Sequence, residues 1–87
     1  MTHDEVVSII EYPSKQLAEY ALSLVNLKDH EMNLLVLRYM RGLTQEETAE
    51  KLNRSKNTIQ VWEKAAINKC SKAWNGLEMI SEMLKTE

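Results

Sequence analysis

The stretch GLTQEETAEKLNRSKNTIQVWEKAAI, residues 42–67, carries two helix patterns with only a few residues between them. Thr44 is followed three positions on by Glu47, the pairing in which a hydroxyl and a carboxylate each satisfy a free backbone N–H at the other's position. That predicts a helix starting at Thr44, with Ala49 and Leu52 facing inward. Asn53 tolerates a positive φ, Ser55 is a second helix cap, and a longer helix follows through Ile59, Trp62, Ala66 and Ile67. Helices of roughly eight and a dozen or more residues, joined by about three, describe a helix-turn-helix. Counting from Gln45, small Ala49 stands fifth, where two helices cross closely, and Asn53 stands ninth, in the turn. Ile59 and Trp62 stand fifteenth and eighteenth, facing the core.

Working toward the N-terminus, Asp29 can cap a helix with Leu34, Leu35, Leu37 and Tyr39 on its apolar side. Arg38 and Arg41 lie near the negative end of that helix dipole, and Gly42 suits the left-handed position after it. Ser14 can cap an earlier helix carrying Leu17, Ala21, Leu24 and Val25 on one side and ending around Asn26. Before Pro13, the residues Val6, Val7, Ile9 and Ile10 fit either a short helix or an extended arm. Toward the C-terminus, Asn75 and Gly76 should break the long helix, and Leu77, Ile80, Met83 and Leu84 form a last apolar stripe. Two glycines, one proline, no phenylalanine and short β-branched runs favour an all-α fold. The expected architecture is a small helical bundle containing a helix-turn-helix, with extra N- and C-terminal helices. The 87 residues read as a single domain: supporting helices over 14–41, the helix-turn-helix over 44–74 and a C-terminal helix over 77–85.

A chain of this length buries only about 60–65% of its unfolded surface, which disfavours a deep catalytic cleft. There is no glycine-rich phosphate loop, no metal-ligand cluster and no plausible triad. Glu46, Glu47 and Glu50 are clustered, but Glu46 and Glu50 share an outward helix face with no apolar pocket to raise their pKa. They read as solvated partners of the helix dipole, and the expectation is no enzyme, no cofactor and no metal. Cys70 is the only cysteine, so no internal disulfide can form, which fits a cytoplasmic protein. At helix spacing among aliphatics it reads as a small apolar residue. The longest apolar run, residues 34–37, is far too short to cross a membrane, and no secretory leader is visible. His3 and His30 lack partners at ligand spacing, with His30 reading as a helix-start residue. Trp62 and Trp74 read as core, and the five methionines as core filler.

The formal net charge of −2 hides an uneven distribution: residues 1–37 carry −4, residues 38–72 carry +4, and the remainder −2. The helix-turn-helix therefore lies in the only basic block. If its inward positions are buried, then Lys56, Asn57, Gln60, Val61 and Lys64 project from the other side of the second helix, a face suited to a major groove. Asparagine and glutamine can pair with adenine through two hydrogen bonds, lysine can reach guanine acceptors, and valine can touch a thymine methyl. Lys51, Arg54 and Ser55 are candidate phosphate contacts at the mouth of this helix, with Lys69 and Lys72 further along.

These residues carry a family resemblance. LRYMRGLTQEETAEKL followed by SKNTIQVWEKAAINK resembles the C-terminal, fourth conserved region of bacterial sigma factors, over roughly residues 27–72. Leu37, Arg38, Tyr39, Gly42, Leu43, Thr44, Glu46, Glu47, Ala49 and Glu50 match that family's helix end, turn and glutamate signature, while Thr48 replaces its usual isoleucine. Ser55, Ile59, Trp62, Glu63 and Ala66 fit its recognition helix. The resemblance implies that Lys56, Asn57 and Val61 occupy positions that touch bases of the promoter −35 element, with Gln60 and Lys64 beside them. It also implies a small stand-alone transcription regulator, of the kind common in phages and mobile elements of Gram-positive bacteria, since no region for the polymerase core or the −10 element precedes it. The expected partner is double-stranded DNA, bound by a homodimer; the helix over 77–85 is the preferred dimer contact, its alternative role being to fold back on the N-terminal helix. The alternative is a protein-interaction module that binds RNA polymerase or another regulator without reading DNA.

Overall fold

In a computed structural model of the chain, residues 1–85 are described, with no strand among them. The elements are α1 (His3–Ile10), α2 (Lys15–Ser23), α3 (Asp29–Leu35), a π-helical turn (Val36–Met40), α4 (Gln45–Leu52), α5 (Lys56–Trp74) and α6 (Glu78–Lys85). The fold is all-α and contains the helix-turn-helix. Contacts gather into two units, Met1–Asn26 with the chain from Ile67 onward, and Leu27–Ala66. α2 falls in the first unit with α1, and α5 contributes residues to each unit.

In the first unit the open choice before Pro13 resolves to a helix. The Thr2 hydroxyl accepts from the Glu5 N–H at 3.1 Å and the Glu5 carboxylate accepts from the Thr2 N–H at 2.9 Å, a complete capping box. Val6, Ile9 and Ile10 are buried on α1, which packs against both α2 and α6. The apolar stripe of α6 lies on α1, with Ile80 and Met83 buried. On α2 the inward face differs from the expected one. Ala18, Ala21, Leu22 and Val25 are buried, whereas Leu17 and Leu24 are 40% and 43% exposed. The fully buried Trp74 donates its indole N–H to the Ala21 carbonyl at 2.7 Å, which turns the side of the helix bearing Ala18, Ala21 and Leu22 inward. The break after α5 is as expected, with Gly76 at φ 83°.

In the second unit, α3 starts one residue earlier than expected. Lys28 is the cap residue, its N–H donating to the Glu31 carboxylate at 2.8 Å, and Asp29 is the first helical residue. Leu34, Leu35 and Leu37 are buried. The helix then widens into the π turn, where the Arg41 N–H reaches Val36 O at 2.9 Å and the Leu43 N–H reaches Leu37 O at 3.0 Å. Gly42 ends it at φ 73°. The Thr44–Glu47 box opens α4, with both reciprocal bonds formed at 2.9 and 3.1 Å. Thr48 is fully buried, and its hydroxyl is satisfied by the Thr44 carbonyl at 2.8 Å.

The joint between α4 and α5 is a Schellman turn. Asn53 sits at φ 55°, its N–H donates to Glu50 O and the Arg54 N–H donates to Ala49 O, at 3.2 and 2.9 Å. Ser55 then caps α5, its Oγ accepting from the Thr58 N–H at 3.2 Å. The left-handed backbone at Asn53 makes a testable demand. Asn53→Gly should be near neutral, while Asn53→Ala should cost about 1 kcal/mol, read from urea unfolding midpoints.

Candidate nucleic-acid interface

The first half of α5 has two unlike sides. Ile59, Glu63 and Ala66 are buried, and Lys56, Asn57, Gln60, Val61 and Lys64 are exposed on the other side. Val61 is 66% exposed, the most exposed of the large hydrophobic side chains. Little of this apolar side chain is covered by the fold. It is chemically suited to a methyl-bearing partner. Lys51 at the end of α4 and Arg54 and Ser55 in the joint are exposed as well. The Ser55 hydroxyl is engaged at home, accepting from Thr58 N and donating to Thr58 Oγ1 at 3.0 Å. Lys72 is exposed and Lys69 half-buried, both on the half of α5 that belongs to the first unit.

Glu63 orients the exposed side by what it does on the buried one. Its carboxylate accepts from Arg38 Nε and from the Tyr39 hydroxyl, each at 2.7 Å, and Arg38 Nη1 also donates to Leu43 O at 2.7 Å. One buried acid thereby ties α5 to the end of the preceding helix and to the turn after it. Burial alone would lower the Arg38 pKa, but the hydrogen bond and charge of Glu63 more than offset it and hold the guanidinium above its ordinary value. Burial, and then the bond to the Glu63 carboxylate, push the Tyr39 hydroxyl up to about 12. Sequence reasoning matched Glu63 only as a family residue. The legible signal was an acid set in the stripe Ile59, Glu63, Ala66, Ile67, where an unpaired charge would not be tolerated.

Trp62 is half-buried rather than core. Its ring lies 4.3 Å from that of His30, and the Arg54 guanidinium sits 5.7 Å above it while donating to Asn53 O at 3.0 Å. His30 is therefore a packing partner as well as a helix-start residue, and Arg54 is held at the mouth of α5. Two of the exposed α5 side chains also have partners on α4. Lys56 Nζ meets Glu46 Oε1 at 2.5 Å, and Gln60 Nε2 donates to Gln45 Oε1 at 3.2 Å. Lys56, through its hydrogen bond and charge, holds the Glu46 carboxyl below the ordinary carboxylate range. The reading of Glu46 as a merely solvated acid missed this pairing. Arg41, Lys51 and Lys64 have no ion-pair partner among the described residues and face solvent.

Among the described residues, no group of three His, Cys, Asp or Glu side chains converges to hold a metal ion, and no helix is long and apolar enough to cross a membrane. The sequence profile of the family described as “Sigma-70, region 4” matches residues 23–72. No curated protein and no solved structure matches the chain.

Glu63→Leu should cost about 2–3 kcal/mol in chemical denaturation, because it leaves a partly buried guanidinium unpaired. The Tyr39 shift carries a pH signature. Since folding raises this pKa, its contribution is complete below the ordinary value of 10.0 and is lost as pH rises through about 12. Unfolding free energy should fall across that window, and Tyr39→Phe should flatten this component.

Proposed function

The chain belongs to the sigma-70 region 4 family, a family of DNA-binding helix-turn-helix domains, and from that premise we propose that it is a sequence-specific DNA-binding transcription regulator. The observation that carries this reading is the exposed face of α5: cations, two amides and a bare valine on one side of a helix anchored by its other side. In the major groove, Asn57 and Gln60 read bases by paired hydrogen bonds, Lys56 and Lys64 reach guanine acceptors or phosphates, and Val61 meets a thymine methyl. Lys51, Arg54 and Ser55 hold phosphates at the mouth of the helix, and Lys69 and Lys72 do so further along. The work is binding rather than catalysis, needs no cofactor or metal, and takes place in the cytoplasm of a bacterium carrying a phage or mobile element.

One helix-turn-helix offers few base contacts, so useful specificity calls for a second copy on a palindrome or a protein bound alongside. Since the buried side of α6 is occupied by α1, a homodimer would use other apolar surface. Leu17 and Tyr20 on α2 and Leu24 at its C-cap, spaced three and four residues apart, are exposed. The same stripe supports a second reading, in which the chain docks on RNA polymerase or another regulator without reading DNA.

Selection of bound duplexes from a random pool separates the two. The wild type should enrich a motif, and Asn57→Ala with Gln60→Ala should lose it, each lost contact costing about 1–3 kcal/mol of discrimination at its own base pair. Lys51→Ala or Arg54→Ala should weaken binding about equally on all sequences, and should shallow the slope of log K against log salt by about 0.9 each. Absence of any motif, with weak and sequence-blind binding, would overturn the DNA reading in favour of the protein partner.

A further inference from the structure

Two of the side chains assigned to base reading are not free: both are held by consecutive residues in the first turn of α4. That turn is locally rigid. The Thr44–Glu47 box uses up the Glu47 carboxylate on the Thr44 N–H, which leaves Glu46 as the acid of that turn facing Lys56. Its position at the positive end of the α4 dipole favours the ionised form, and both it and its partner lie on the exposed surface. Lysine is a flexible point charge that, left alone, takes any phosphate within reach. Paired with Glu46, it must give up an existing partner to do so, whereas phosphate binding by Lys51 or Lys64 requires no such exchange. Gln45 acts on the neighbouring reader. One N–H of the Gln60 amide goes to Gln45 Oε1, which leaves its oxygen and second N–H as the donor and acceptor pair that recognises adenine.

We propose that Gln45 and Glu46 are specificity-determining residues acting through α5: Glu46 holds Lys56 back from sequence-blind phosphate contact, and Gln45 sets the orientation in which Gln60 meets the bases. Both are positioning residues that need not touch DNA. The proposal rests on the DNA-reading function above and deepens it.

The test compares wild type, Glu46→Gln, Lys56→Met, the double variant of the two, Gln45→Ala and Gln60→Ala, all in the full chain. Each is titrated on the duplex the wild type selects and on a scrambled duplex of equal length, over a series of salt concentrations, and each is put through the random-pool selection. Glu46→Gln should tighten binding to the scrambled duplex several-fold, steepen its salt slope by about 0.9, and lower the ratio of selected to scrambled affinity. The same change made in the Lys56→Met background should leave slope and ratio where Lys56→Met alone puts them. Gln45→Ala should weaken enrichment at the base pair that Gln60→Ala loses and spare the other positions. If Glu46→Gln acts equally with and without Lys56, the acid works as general repulsion and the proposal is overturned. An unchanged motif in Gln45→Ala overturns it too. A wild type that selects a motif while these variants behave like it sinks only this inference, whereas a wild type that selects nothing removes the DNA-reading function and this inference together.

Discussion

The carboxylate of Glu63 is the constraint on which the helix-turn-helix of this protein depends. It is buried on the inward side of α5 and accepts from Arg38 and Tyr39, residues that precede it by about two dozen positions. A buried acid without such partners would carry a heavy desolvation cost, and the two donors would be left unsatisfied in turn. The three groups are therefore an all-or-nothing arrangement, and it fixes the rotation of α5 about its own axis relative to the turn at Gly42. That rotation decides which side chains face solvent. The widening of the preceding helix into a π turn falls at the residues that supply the donors, Arg38 and Tyr39, and the third bond, from Arg38 to Leu43 O, brings the start of the next connection into the same network.

Charge in the basic block is less available than its formal value suggests. Arg38 is consumed by Glu63 and Lys56 is paired with Glu46, while Arg54 is positioned on Trp62. Arg41, Lys51 and Lys64 remain solvent-facing cations of the second unit. An acidic chain with a few solvent-facing cations beside a polar helix face carries a weaker long-range field than its basic block alone suggests.

Much of the fold was legible because it is written in short-range chemistry. The Thr44–Glu47 box, Gly42, Asn53 and Ser55 each act on backbone groups within about five residues, so their reading needs no knowledge of the rest of the chain. The Thr2–Glu5 box is of the same kind, and it marks α1 as a helix although the apolar run after it left two options open. The outward face of α5 also followed from helical periodicity, since an inward stripe implies its complement. Less legible was the face of α2, where Leu17 and Leu24 look more apolar than Ala18 and Ala21 but lie outside. The Trp74 indole bonds to the Ala21 carbonyl, a long-range contact that no pattern along α2 reveals, and it turns the Ala21 side inward. The two tryptophans likewise look equivalent in sequence, yet Trp74 is fully buried and Trp62 is a half-exposed platform for His30 and Arg54.

What the sequence by itself determined, then, is where helices start, stop and turn, and which side of the second helix of the pair is polar, because caps, left-handed residues and periodicity act locally. Only the tertiary structure decided which distant groups meet: Glu63 with Arg38 and Tyr39, Lys56 with Glu46, Gln60 with Gln45, Trp74 with the backbone of α2. Those partnerships depend on the distance and angle at which separate elements come together. A charge read along the chain cannot show whether it is free for a partner or already held by a neighbour in space.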